Sequence, residues 1–175
     1  MFTTTRGNFI MEARREWSPL GVDRLYQLVT SGYYDNSLIF RVEPGFVVQF
    51  GIAERQDVKL FWNRKYIQDE PVLQKHLKGV VAFARDVKNS RSTQLFIDMA
   101  DNPQLDTTVR YGVKGFTPIA KVISGMDVIA KFFSGYGKEP ATNQVELYRK
   151  GNAYYEQKYP GLDKILSAKI IRYNQ

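Results

Sequence analysis

Short runs of β-branched and aromatic residues, interrupted every few positions by glycine, proline or asparagine, recur from one end of this chain to the other. Phe2–Thr5 and Asn8–Arg14 flank Arg6-Gly7, and Leu38–Val42, Gly45–Phe50, Gly79–Ala84, Thr93–Met99, Thr117–Val122 and Ser167–Tyr173 follow. Runs of this kind read as strands, and the first two as a hairpin. So many strands leave edges whose unpaired N–H and C=O groups invite association, and closing the sheet on itself removes them. The pattern therefore predicts a mainly β fold built on a closed antiparallel barrel. Two stretches carry a helical period. In the first, Ser18-Pro19 supplies an N-cap and a first-turn proline, Val22, Leu25, Tyr26 and Val29 share one face, and Gly32 ends it. The second runs from about Gly125 to Phe133, with Met126, Ile129, Ala130 and Phe133 on one face and Gly135 after it. These two helices are expected to cap the barrel's open ends. Asn143–Tyr159 is partly helical, broken at Gly151 and stopped at Pro160. It forms an extra segment, residues 143–166, inserted before the last strand of one domain spanning residues 1–175.

Composition removes several function classes. A hydrophobic fraction of 43%, with 11 Phe, 11 Tyr and 2 Trp, supplies a sizeable core. No apolar run approaches the roughly 18 residues that would span a membrane. The opening MFTTTRGNFIM lacks the apolar stretch of a signal peptide, so the expected compartment is the cytoplasm, the alternative being export after removal of a leader. Cysteine is absent, which excludes disulfides, a thiol nucleophile and thiolate metal sites. The single histidine, His76, lies in a polar stretch and reads as a surface residue; alone, it makes no zinc site. Phosphate-binding glycine loops and the G-x-S-x-G elbow are missing. Asp69-Glu70 reads as a solvated carboxylate pair in a polar loop. The net charge of +7 raises a nucleic-acid partner, for which Lys59, Arg64 and Lys65 among Phe61, Trp62 and Tyr66 form the best cluster. Because the basic residues are otherwise spread from Arg6 to Arg172, a solvated basic surface is the better reading and no nucleic-acid partner is expected. An enzyme built this way works without metal, cofactor or covalent nucleophile.

One stretch stands apart. FRVEPGFVVQFG, from Phe40 to Gly51, places an arginine and a glutamine within two apolar runs, on either side of a Pro-Gly turn. Arg41 through Gly51 resembles the R-x-x-P-G-F-x-x-Q-x-G signature of cyclophilin-type peptidyl-prolyl cis-trans isomerases. Gly79–Ala84, Ser92–Ile97 and Ile119–Val128 resemble the family's later core segments in order, and Ser31–Asp35 its first helix end. The likeness covers residues 2–134 and 166–173, and the tail resembles a divergent subgroup common in bacteria. It implies a cyclophilin-like barrel and a set of site residues. Arg41 and Gln49 correspond to the catalytic pair. Phe46, Val47, Phe96, Leu105 and Phe116 correspond to the proline pocket. Ala84 and Arg85 correspond to residues whose backbone runs beside the peptide, and Gln94 and Gln104 to groove residues. The implied partners are proline-containing peptides and unfolded proteins, with the chain a monomer assisting folding.

The chemistry fits the residues. Rotation about X–Pro is slow because the C–N bond has partial double-bond character. When the bond twists, conjugation is lost and the prolyl nitrogen regains a lone pair that a fixed guanidinium can bond more strongly than the planar amide. Each residue also has a plainer reading. Arg41 and Glu43 share a strand face and can form a surface ion pair; Gln49 can be an ordinary strand residue, and Phe46 and Phe96 core. Strand alternation sets Phe46 and Gln49 on opposite faces unless the chain bulges near Pro44-Gly45. Val47, Arg85, Gln104 and Phe116 depart from the family's frequent Met, Asn, Trp and His. The loop Thr107–Gly115 is also longer than the family's minimal pattern. Because cyclosporin recognition leans on the tryptophan, weak cyclosporin binding is expected. The rival function is a non-catalytic scaffold domain that binds proline peptides.

Overall fold

The computed structural model describes residues 1–172. Its elements, in chain order, are β1 (Phe2–Thr4), β2 (Gly7–Ala13), α1 (Pro19–Thr30), β3 (Ser37–Val42), β4 (Val47–Phe50), α2 (Gln56–Trp62), β5 (Val80–Phe83) and β6 (Leu95–Asp98). There follow α3 (Gln104–Thr107), β7 (Val109–Arg110), β8 (Val113–Lys114), β9 (Pro118–Ser124), α4 (Met126–Ile129), α5 (Glu139–Thr142), α6 (Gln144–Lys158) and β10 (Lys164–Ala168). Eight strands close into a barrel in the order β1-β10-β3-β4-β6-β5-β9-β2, every neighbouring pair antiparallel. Its interior holds Phe2, Phe9, Ile39, Val48, Phe50, Val81, Phe83, Leu95, Ile97 and Ile119, all buried. Leu25, Leu28 and Val29 of α1, and Ile129 and Phe132 in and after α4, complete this core.

Local chemistry explains most of these elements and corrects several expectations. Ser18 precedes α1 but does not cap it. Its hydroxyl donates instead to Glu70, whose carboxylate accepts the Leu20 and Gly21 N–H groups at 2.8 and 3.1 Å. The cap thus comes from a carboxylate some fifty residues along the chain. Burial opposes charge on Glu70, but bonds from Ser18 and Arg91 outweigh it and hold its pKa below the usual carboxylate range. The Asp69-Glu70 pair is therefore a structural tie and not a solvated one. On α1, Leu28 is buried while Tyr26, placed on the apolar face by its spacing, is 57% exposed. The second helix is a single turn, shorter than expected. The first hairpin turns at Thr5-Arg6, one residue earlier than expected. The closing strand ends at Ala168, so Lys169–Arg172 lie outside it, and Tyr173 falls outside the described residues.

The inserted segment packs firmly. α6 is broken at Gly151, whose φ of 80° and ψ of −179° are non-helical. Leu147, Tyr155 and Tyr159 bury against Leu38, Phe40 and Ile52 on the barrel's outside. β3 is consequently apolar on both faces: Ile39 points into the barrel while Leu38 and Phe40 meet α6.

Candidate active site

The site lies on the outer face of the sheet formed by β3, β4, β6 and β5. A register shift between Ile39 and Arg41 sets Arg41 directly opposite Gln49, with Val42 opposite Val48. Ile39, Val42 and Val48 belong to the interior core. The bulge therefore changes strand parity, so that Arg41 emerges on the outer face beside Gln49. Phe46 escapes the alternation for another reason, because it sits in the turn before β4. Its N–H donates to the Glu43 carbonyl at 2.9 Å across Pro44-Gly45, and Gly45 has φ 76°, as a turn with Pro then Gly requires. Gly51 ends β4 with φ 111°, where any Cβ would stand 2.6 Å from the Thr93 carbonyl oxygen. Only glycine allows these two strand ends to meet.

Five apolar residues form the pocket wall: Val47, Ala82, Phe96, Leu105 and Phe116 pack as one cluster, with Phe46 and Ala84 against it. The Phe96 and Phe116 rings meet edge to face at 5.5 Å. At the edge, Arg41 Nε donates to Glu43 Oε1 at 2.5 Å and Nη1 to Gln49 Oε1 at 3.1 Å. Gln49 Nε2 donates to Gln94 at 2.9 Å, and Gln94 Nε2 to Gln144 at 2.7 Å. A relay Glu43–Arg41–Gln49–Gln94–Gln144 thus crosses the groove floor. The Arg41–Glu43 pair expected of an ordinary surface forms, and its arginine faces the groove as well.

A cavity of about 510 Å³ is lined by Arg41, Phe46, Val47, Gln49, Ala84, Arg85, Phe96, Gln104, Leu105 and Phe116. These are the residues singled out in the sequence, with one exception. Gln94 stands behind them and lines an adjoining cavity of about 240 Å³. The larger one also takes in Lys138, Ala141, Thr142 and Gln144, so the inserted segment reaches the groove. A contact fifty residues distant, Gln94 to Gln144, leaves no local mark in the sequence. A still larger recess of about 880 Å³, at Pro71–Lys75, shares no residue with the groove.

Behind the pocket the structure places two side chains whose contacts the sequence does not disclose, and one of them, His76, departs from its expected surface position. His76 is 1% exposed, not superficial. Its Nδ1 meets Asp98 at 2.7 Å, its Nε2 meets the Phe116 carbonyl at 2.7 Å, and its ring stacks 5.7 Å from Phe96. Burial disfavours the imidazolium, but Asp98 and the Phe116 carbonyl outweigh it and raise the His76 pKa. Arg85, whose backbone the resemblance sets beside the peptide, is also engaged through its side chain. Nη2 donates to the Val113 and Gly115 carbonyls at 3.0 and 2.6 Å, and the guanidinium lies 4.8 Å over the Phe116 ring. It ties down the β7–β8 hairpin, which is the long loop foreseen at Thr107–Gly115. Within the basic and aromatic cluster in and after α2, Lys59 and Trp62 are buried while Phe61, Arg64, Lys65 and Tyr66 are exposed.

Fold and site together define the class: a cyclophilin-like barrel carrying its groove on the outer sheet face. Among solved structures, the chain resembles a cyclophilin type peptidyl-prolyl cis-trans isomerase of Cryptosporidium parvum, crystallised in the presence of the dipeptide Ala-Pro. That match has a TM-score of 0.60 and 21% identity, covering 74% of this chain and 80% of the other. The cyclophilin AquaCyp293 of Hirschia baltica matches with a TM-score of 0.64 and 17% identity over 95% and 71%. Peptidyl-prolyl cis-trans isomerase A of Dickeya dadantii is 32% identical over 133 residues, 75% of this chain and 68% of that protein. The chain belongs to the family described as cyclophilin type peptidyl-prolyl cis-trans isomerase/CLD, whose model matches residues 1–151.

Proposed function

We propose that this isomerase acts on proline-containing peptides and unfolded proteins, with Arg41 as the catalytic donor and the Phe96–Phe116 pocket as the seat of the proline ring. The observation that carries the assignment is the Arg41 guanidinium. It is held by Glu43 and Gln49 at the pocket's edge, and its Nη2 has no partner among the described residues. A planar amide nitrogen offers that group little. As the bond twists, its returning lone pair becomes an acceptor, and a donor already held in place spends little on reorganisation. The barrier of about 18–20 kcal/mol falls by the difference between those two interactions, with no covalent step. Phe46, Val47 and Leu105 complete the apolar pocket, and Gln49 and the Ala84–Arg85 backbone hold the peptide beside it. The Ala-Pro dipeptide named with the Cryptosporidium structure supports a proline ligand. Gln104, exposed at the rim and donating to Asn102 at 3.2 Å, supports weak cyclosporin binding because it offers no indole N–H.

Arg41→Ala should lower kcat/KM in a protease-coupled assay on X–Pro peptides at least about tenfold, or about 1.4 kcal/mol of transition-state stabilisation. Arg41→Lys should recover little, since an ammonium lacks the planar fork that bonds Glu43 and Gln49 together. Near-wild-type turnover in Arg41→Ala would defeat the assignment. The second reading, a proline-peptide scaffold, is favoured by the engagement of Arg41 with Glu43. It predicts peptide binding without turnover in the same assay.

A further inference from the structure

The 240 Å³ cavity adjoining the groove has a lining the isomerisation chemistry does not use. It lies between α2, the start of α6 and the 84–94 loop, and it shares Gln49, Ala84, Arg85, Asp86 and Gln144 with the groove. Lys59 lines it, 2% exposed, and its ammonium forms no ion pair or hydrogen bond among the described residues. Its ammonium stands 5.4 Å from the Tyr148 ring centroid. Two further lining residues hold orphan donors: Trp62 Nε1 and Tyr148 Oη are buried without partners. A buried ammonium is costly unless paired, and each buried donor left unmade is costly as well. The cavity's other charges are Arg64, Arg85 and Asp86, so cations predominate. Burial holds the Lys59 pKa below the ordinary lysine value, with Glu54 partly opposing.

We infer that this cavity is a carboxylate-binding subsite, in which Lys59, Trp62 and Tyr148 receive an acidic side chain near the isomerising proline of the substrate. The inference rests on the isomerase reading above, and it narrows the substrate class to X–Pro segments carrying Glu or Asp close to the proline. Gln144 stands where the two cavities meet, bonded to Gln94, and sets the passage between them.

The test compares kcat/KM on matched peptides with Glu or its neutral isostere Gln at each of the three positions before and after the proline. Charged hydrogen bonds in a buried site make a Glu preference of at least about fivefold the expected result at one position. In Lys59→Met that ratio should fall below about twofold, and Trp62→Phe should lower it in part. The readout is a ratio within each variant, so general losses of stability or activity cancel. Ratios near one at all positions in the wild type, or a ratio that survives in Lys59→Met, would overturn the subsite and leave prolyl isomerisation standing. Absence of turnover on every peptide would instead defeat the isomerase reading. The same Glu and Gln peptides, titrated by tryptophan fluorescence, would then decide the subsite alone: tighter Glu binding lost in Lys59→Met supports it, and equal binding overturns it.

Discussion

His76 shows how much one residue's meaning depends on what folds around it. Both ring nitrogens face acceptors, Asp98 and the Phe116 carbonyl, so the protonated ring satisfies both at once. A raised pKa means the folded state holds the proton more tightly than the unfolded chain. The resulting stabilisation is complete below the unfolded value of 6.5 and is lost as pH rises through the higher folded value. With a single histidine in the chain, an NMR titration reads it without assignment ambiguity. The imidazole should titrate above 6.5, and the fall in stability over that window should vanish in His76→Gln. A midpoint at or below 6.5 would contradict the geometry. Nothing at Gln74-Lys75-His76 marks this role, because Asp98 and Phe116 come from other elements. Arg41 and Gln49 were legible for the opposite reason: they belong to one contiguous motif whose turn brings them together.

Among elements, α1 and the β7–β8 hairpin owe their placement to remote polar side chains. Glu70 accepts the Leu20 and Gly21 N–H groups and pairs with Arg91 at 2.8 Å, where the two side chains are 10% and 1% exposed. Removing one partner of such a pair leaves a buried charge, at a cost of about 3–5 kcal/mol. Glu70→Ala should therefore lose stability of that order in denaturant unfolding, whereas a merely solvated carboxylate would cost nearly nothing. Strand positions were readable from runs and breakers, and the Gly151 break within α6 was too. The short helices α2, α3 and α5 carry no sustained period, so tertiary contacts and not sequence pattern define them.

At the scale of the molecule, the inserted segment is part of the barrel's structure. Leu147, 1% exposed, packs with Tyr155 and Tyr159 against Leu38 and Phe40 of β3. Leu147→Ala should cost about 2–5 kcal/mol through lost burial and a residual cavity. Each kcal/mol should lower Tm by about 2–4 °C for a chain of this size. An unchanged Tm would show α6 to be a loose appendage. The barrel itself followed from sequence alone, since many short strands without a covering layer must close to hide their edges, and alternation decides which residues fill the interior. The groove residues Arg41, Phe46, Val47 and Gln49 were legible as well, through a motif local enough to be read in a line. The tertiary structure alone decided what lies around that groove: His76 behind the pocket, Arg85 across the hairpin, and Gln144 and Lys59 in the adjoining cavity. Burial and hydrogen bonding between residues far apart in the chain depend on packing, and periodicity and turn chemistry carry no record of it.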